Sequence, residues 1–88
     1  MSKHNPTIKE YIPETLNAVH LELDMAAEHH GQFKSSHEGM AIIREEYLEL
    51  EHEVFHGNPR LAVEEATQLA AMAVKMVTFL LDEMESKP

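Results

Sequence analysis

Glutamates set three and four residues apart are the groups in this chain with the most evident chemistry. Between Ser35 and His56, in SSHEGMAIIREEYLELEHEVFH, the acids cluster as Glu45-Glu46-x-x-Glu49. On a helix turning about 100° per residue, Ile42, Glu46, Glu49 and Glu53 fall on one side, because such spacings return to the same face. Met40, Ile43, Tyr47, Leu50 and Val54 keep the same rhythm on the adjoining face, which predicts acids at the margin of an apolar stripe. Carboxylates converging there repel one another and raise each other's pKa unless something positive lies between them, and a hard divalent cation such as Mg²⁺ is the usual solution. A solvated acidic face has the same spacing, and the chain holds sixteen Asp and Glu in 88 residues, so a metal site needs support from a second element.

That support lies further on, in Glu64-Glu65-Ala66-Thr67-Gln68. Glu65 and Gln68 share a helical face with Leu61, Met72, Met76 and Phe79. The intervening Gly57-Asn58-Pro59 leaves a connection of only about three residues, which makes the two helices antiparallel neighbours. Their facing sides can then bring Glu46 and Glu49 opposite Glu65 and Gln68. Four oxygen side chains, with water or phosphate completing about six ligands, suit Mg²⁺.

The elements that must hold these groups are punctuated along the chain. Asn5-Pro6 has the form of an N-cap followed by a first-turn proline, but Pro13 lacks an N–H and crowds the preceding turn. The first long helix is therefore expected to start near Pro13, leaving residues 1–12 as an N-terminal extension of a single domain over 1–88. Ile12, Leu16, Val19, Leu23 and Ala27 form its apolar stripe, with Glu14, Asn17, Glu22 and Asp24 outside it, and Gly31 suits its end. Ser35-x-x-Glu38 reads as a capping box opening the second helix. Gly57 closes that helix, and Asn58-Pro59 opens a third running from about Pro59 to Met84.

The middle of the third helix, LAAMAVKMVTFLL, is apolar around most of its circumference, apart from a strip at Thr67, Lys75, Thr78 and Asp82. Such a helix is buried on more than one side, which two neighbours within the chain can hardly achieve. There is no alternating apolar run and no hairpin dipeptide. The expected fold is all-α: an antiparallel bundle of three main helices per protomer, completed by oligomerisation.

Composition bounds the function. A chain this short buries only about two-thirds or less of its unfolded surface, which again favours a partner subunit. The absence of Cys excludes disulfides and thiolate metal sites and fits a cytoplasmic protein. The N-terminal MSKHNPTIKEYIPETL has no apolar core of a signal peptide, and the apolar run from Ala66 to Leu81 is too short for a membrane span and carries Lys75. A formal net charge of −9, with seven scattered Lys and Arg, argues against nucleic acid as partner. A small anion would need a cation to bridge it to the acids.

Glu45-Glu46-x-x-Glu49, fifteen residues, then Glu65-x-x-Gln68 resembles the EExxE plus ExxD signature of the MazG-like, all-α nucleoside triphosphate pyrophosphohydrolases. The HEG opening at His37 to Gly39, AIIREEYLEL and EEATQLAAMAVKM are similar too, so the likeness covers roughly residues 15 to 82. The resemblance implies Mg²⁺-dependent (or Mn²⁺-dependent) cleavage of the α–β phosphoanhydride of a nucleotide to monophosphate and pyrophosphate, in a homodimer or homotetramer. Carried over, Glu46, Glu49 and Glu65 match metal ligands. Gln68 stands where the family has Asp, and its carbonyl can coordinate Mg²⁺ without supplying charge. Glu45 and Glu53 are the candidates for orienting or deprotonating the attacking water, and Glu38 for a supporting role beside the substrate. Lys75, Arg44 and Lys34 are candidates for meeting phosphate, against the plainer reading of each as a solvated cation. Met40, Tyr47, Met72 and Phe79 are candidates for lining a base pocket, or for plain core.

Two other readings stand beside this one. Gln68 also suits a non-catalytic relative, a helical oligomer serving as a binding module. His52-Glu53-Val54-Phe55-His56 matches HExxH, whose histidines hold Zn²⁺ while the Glu acts as base. That motif lies in a last helical turn before Gly57 and has no sheet around it. His4, His20, His29, His30 and His37 read as surface or loop-end residues.

Overall fold

In a computed structural model the chain is described at residues 7–29 and 31–86, the side chain of His29 excepted, so Asn5-Pro6, His4 and His30 lie outside the described residues. Three helices account for nearly all of it: α1 at Ile8–His29, α2 at Ser36–Phe55 and α3 at Pro59–Ser86. No strand is present among the described residues, so the fold is all-α. No helix among them is long and apolar enough to cross a membrane.

The helix ends follow local chemistry. Ser35 caps α2, its hydroxyl accepting from the Glu38 N–H at 3.1 Å. Glu38 reaches back as a capping box requires, but to the Lys34 N–H at 3.0 Å, one residue further out than the cap itself. At the other end Gly57 adopts φ 71°, and the amides of Gly57 and Asn58 return to the carbonyls of Val54 and Glu53, a Schellman closure. Asn58 then caps α3, its side-chain oxygen accepting from the Leu61 N–H at 3.2 Å. Gly31, at φ 65°, takes the left-handed conformation that turns the chain after α1.

One boundary differs from expectation. α1 does not begin near Pro13 but at Ile8, with Pro13 inside the helix, so residues 8–12 of the expected extension are helical. Residues 7–18 around it are all exposed. Proline removes a single bond to the Lys9 carbonyl, and Lys9 is exposed, so water replaces the lost donor.

α3 is the central element. α2 packs antiparallel along it, joined by the tight 56–58 turn, and α1 packs on its other side, while α1 and α2 make no comparable contact with each other. α1 runs parallel to α3: Tyr11, Thr15 and Val19 lie beside Val63, Ala66 and Ala70, and Leu23 and Ala27 beside Val74 and Thr78. The groove left between the two flanking helices therefore has α3 as its floor.

The face that α2 turns to α3 begins at Gly39. A Cβ there would sit 2.5 Å from Met76 Cε and 2.7 Å from Phe33 Cδ2, so any side chain at this position would force Met76 and the Phe33 ring to shift. Ile42, Glu46, Glu49 and Glu53 follow Gly39 on the same side. The acid-bearing side therefore faces the partner helix, whereas Met40, Tyr47 and Val54, of the stripe expected to be the core, remain exposed.

The buried core is small: Val19, Phe33, Ala71 and Met76. Even with α1 and α2 in place, Val74, Val77, Leu80, Leu81 and Met84 of α3 stay exposed, as do Ile8, Ile12 and Leu16 of α1. The radius of gyration is 15.7 Å and the long dimension 62 Å. A compact domain of this length would have a radius near 12 Å, about a quarter less.

Candidate metal centre

Antiparallel packing of α2 on α3 sets Gly39 against Met76 near one end of the pair. Two turns on, the same register brings Glu46 and Glu49 to Glu65. Carboxylate oxygens of these three residues lie within 4.8 Å of one another, and among the described residues they form the group of acidic or histidine side chains able to share an ion. Two of those oxygens, Glu46 Oε2 and Glu65 Oε2, are shut off from water and have no hydrogen-bond partner. A buried carboxylate oxygen without a donor is costly, so this arrangement is unfavourable for three full negative charges.

Such crowding disfavours the charged forms. Burial, a hydrogen bond with the Glu49 carboxyl, and the charges of Glu49, Glu46 and Glu53 push Glu65 up to about 7 from an ordinary 4.5. Burial raises Glu46 as well, helped by the charges of Glu49, Glu22 and Glu45 and by a bond with Glu49. The cause is common to both: carboxylates brought together in a partly dry place disfavour ionisation. The donors are hard oxygens in a small cluster, the set that a divalent cation such as Mg²⁺ takes. The residues present therefore fit such an ion.

Beside the cluster opens a cleft of about 390 Å³, lying in the groove between α1 and α2. Glu45 and Glu46 of α2 and Gln68 and Lys75 of α3 line it, with Ile42 and Met72 on its apolar side. Gln68 thus faces the space next to the carboxylates, as its position three after Glu65 predicts. Lys75 is half-buried rather than a free surface cation, with its nitrogen 4.6 Å above the Phe33 ring.

The structure separates other candidates from this site. Arg44 lies in a different depression with His37, Met40, Tyr47 and Leu69. Lys34 is exposed and its amide is engaged by Glu38, whose carboxylate thereby serves the α2 cap. Glu53 stands near Glu65 but beside the α2–α3 turn rather than in the cleft. Of the four residues considered for a base pocket, only Met72 lines the cleft. Tyr47 instead donates to Glu51 at 3.1 Å, and Phe79 packs edge-on against Phe33 with centroids 6.2 Å apart.

Glu22, Met25 and Phe33 are cleft residues that sequence reasoning missed. Glu22 was legible only as a polar residue flanking the α1 stripe; four residues before Ala26, it could have been placed at the stripe's edge. Phe33 sits in a short connection, where no periodicity applies.

The HExxH histidines are exposed, and their rings stack 3.9 Å apart at 29°. His56 lies just beyond α2, with its Nδ1 held 2.7 Å from the His52 carbonyl oxygen. Neither joins the carboxylate group.

No family model, characterised protein or solved structure matches the chain.

Proposed function

We propose that the protein is a divalent-cation-dependent nucleotide pyrophosphohydrolase, cleaving the α–β phosphoanhydride of a nucleoside triphosphate or its deoxy form. The observation that carries the reading is the convergence of Glu46, Glu49 and Glu65 from two helices, with two buried oxygens that no donor satisfies. A cluster this unfavourable in its own right is accounted for by an ion that offsets it. The spacing of the acids, similar to that of MazG-like enzymes, supports the same conclusion.

In this reading Glu46, Glu49 and Glu65 hold Mg²⁺, or Mn²⁺ in its place, and Gln68 adds an uncharged oxygen. When bound there, the ion neutralises phosphate oxygens and makes water a better nucleophile. Lys75 receives phosphate charge from the cleft wall. Glu45, which lines the cleft, orients the attacking water and accepts its proton, with Glu22 on the α1 side of the same space. Ile42, Met72 and Met25 give the cleft an apolar wall against the less polar part of the nucleotide. The apolar faces of α1 and α3 left open in one protomer are covered by a second copy of the chain, in a homodimer or homotetramer.

Pyrophosphate release from a panel of nucleoside triphosphates, with Mg²⁺, Mn²⁺ or EDTA, tests the proposal. Release that requires the metal and is lost in Glu46→Gln, Glu49→Gln and Glu65→Gln supports it. Absence of release from every nucleotide, with Mg²⁺ still bound, would leave the non-catalytic binding module, which the neutral Gln68 favours.

A further inference from the structure

Lys75 presents an unusual arrangement for a cation in a chain of net charge −9. It shares a cleft with Glu22, Glu45 and Glu46, yet among the described residues none of them makes an ion pair with it. Its nitrogen rests instead on the Phe33 ring, 4.6 Å from the centroid. A flexible lysine would ordinarily swing to the nearest carboxylate. Here the aromatic face gives the ammonium a different place to rest, at a distance typical of a cation–π contact.

The seat is itself well supported. Phe33 is buried, 4 % exposed, although it belongs to a connection and not to a helix. Its ring enters between α2 and α3 because Gly39 has no Cβ; a methyl group there would come within 2.7 Å of Cδ2 and 2.9 Å of Cε2. Phe79 fixes the ring from the side with an edge contact at 64°. Phe33, Gly39, Phe79 and Lys75 thus form one packed unit reaching from the core to the cleft.

We infer that Phe33 is a positioning residue, whose ring holds the Lys75 ammonium on the cleft wall so that its charge is offered to an incoming phosphate chain rather than to the carboxylates. Assigning a phosphate chain rests on the proposed function; the seat itself rests on the contacts above. The arrangement divides the labour. An anion would meet the Lys75 ammonium on the cleft wall and a cation that Glu46, Glu49 and Glu65 would hold beside it. A lysine paired with Glu46 would cancel the charge on both sides.

The test uses inorganic pyrophosphate with saturating Mg²⁺, measured by calorimetry in wild type, Phe33→Leu, Lys75→Met and the double variant, alongside NMR of the lysine side chains. Leu keeps an apolar group in the core without an aromatic face, and melting curves identify any variant that fails to fold. In wild type the Lys75 methylene protons nearest the nitrogen are expected to resonate upfield through the ring current, and to return to the ordinary lysine position in Phe33→Leu. Pyrophosphate binding is expected to weaken about fivefold in Phe33→Leu, equivalent to a seat of about 1 kcal/mol. It should weaken more in Lys75→Met and no further in the double variant. Additive losses in the double variant, or a wild-type Lys75 signal at the ordinary position, overturn the inference. A shifted signal with no pyrophosphate binding overturns the anion assignment. Binding that depends on Lys75 and Phe33 without cleavage of any nucleotide leaves the inference standing and removes the enzymatic reading. Should Phe33→Leu not fold, para-fluorophenylalanine at position 33 weakens the ring face without changing its packing, and the same shifts and affinities decide.

Discussion

Replacing Glu65 by Gln should stabilise the metal-free protein, and only at neutral to alkaline pH. In the folded chain Glu65 is pushed up to about 7 by burial and by Glu49, Glu46 and Glu53, against 4.5 for an unperturbed carboxyl. Between these values the folded state binds a proton that the unfolded state has released, so stability falls as pH rises. The contribution is fully present below about 4.5 and lost above about 7. Full linkage over that interval corresponds to about 3 kcal/mol. Glu65 is only partly buried and the site adjoins an open cleft, so solvent screening reduces this to about 1–2 kcal/mol. Glutamine removes the ionisation and keeps the shape, so at pH 8 in EDTA it should recover most of that amount, a rise in melting temperature of about 5–15 °C. At pH 4.5 the two proteins should melt together. The assay is thermal unfolding by circular dichroism across pH 4.5–8 at fixed protein concentration, since self-association would otherwise shift the midpoints. Adding Mg²⁺ should reverse the order, stabilising wild type more than the variant. If Glu65→Gln is less stable than wild type at pH 8 without metal, or if the difference does not change with pH, the carboxylates do not repel one another as argued.

Gly39→Ala should cost stability although alanine is the better helix former. About 1 kcal/mol is gained from propensity, but the methyl group meets the Phe33 ring at 2.7 Å, and such overpacking costs about 1–3 kcal/mol. Urea unfolding should show a net loss near 1 kcal/mol, and a gain would mean that Phe33 moves freely. Gln68→Asp should tighten Mg²⁺ binding, because a fourth carboxylate adds charge beside a hard ion; calorimetry showing unchanged affinity would mean that position 68 does not reach the ion. Sedimentation at micromolar concentration should find a dimer or tetramer, given the apolar side chains of α1 and α3 that one protomer leaves open. A stable monomer would refute that.

Much of this molecule was determined by local sequence. Ser35 with Glu38 and the Gly57-Asn58-Pro59 turn act through bonds to neighbouring backbone, so they fix where α2 begins and ends and where α3 begins, and Gly31 turns the chain after α1 through its left-handed φ. The three-four spacing placed Glu46, Glu49 and Glu65 on faces that a three-residue turn can only fold together, and the cluster follows from that geometry. Pro13 was misread as a helix start because its penalty depends on whether water can reach the freed carbonyl. Exposure of that kind is a property of the tertiary fold. The pattern marked two adjoining sides of α2, an acidic one placed opposite Glu65 and an apolar one read as core, and only the fold decides how deeply each is buried. Met40, Tyr47 and Val54 stay exposed, while Gly39 and the acids lie against α3, where a Cβ at position 39 would meet Met76 and the Phe33 ring. Phe33 and Glu22 come from separate elements that meet only across α3. Their place beside Lys75 and Glu46 was therefore decided by how α1 and α2 straddle the central helix, a relation between distant segments that no local spacing encodes.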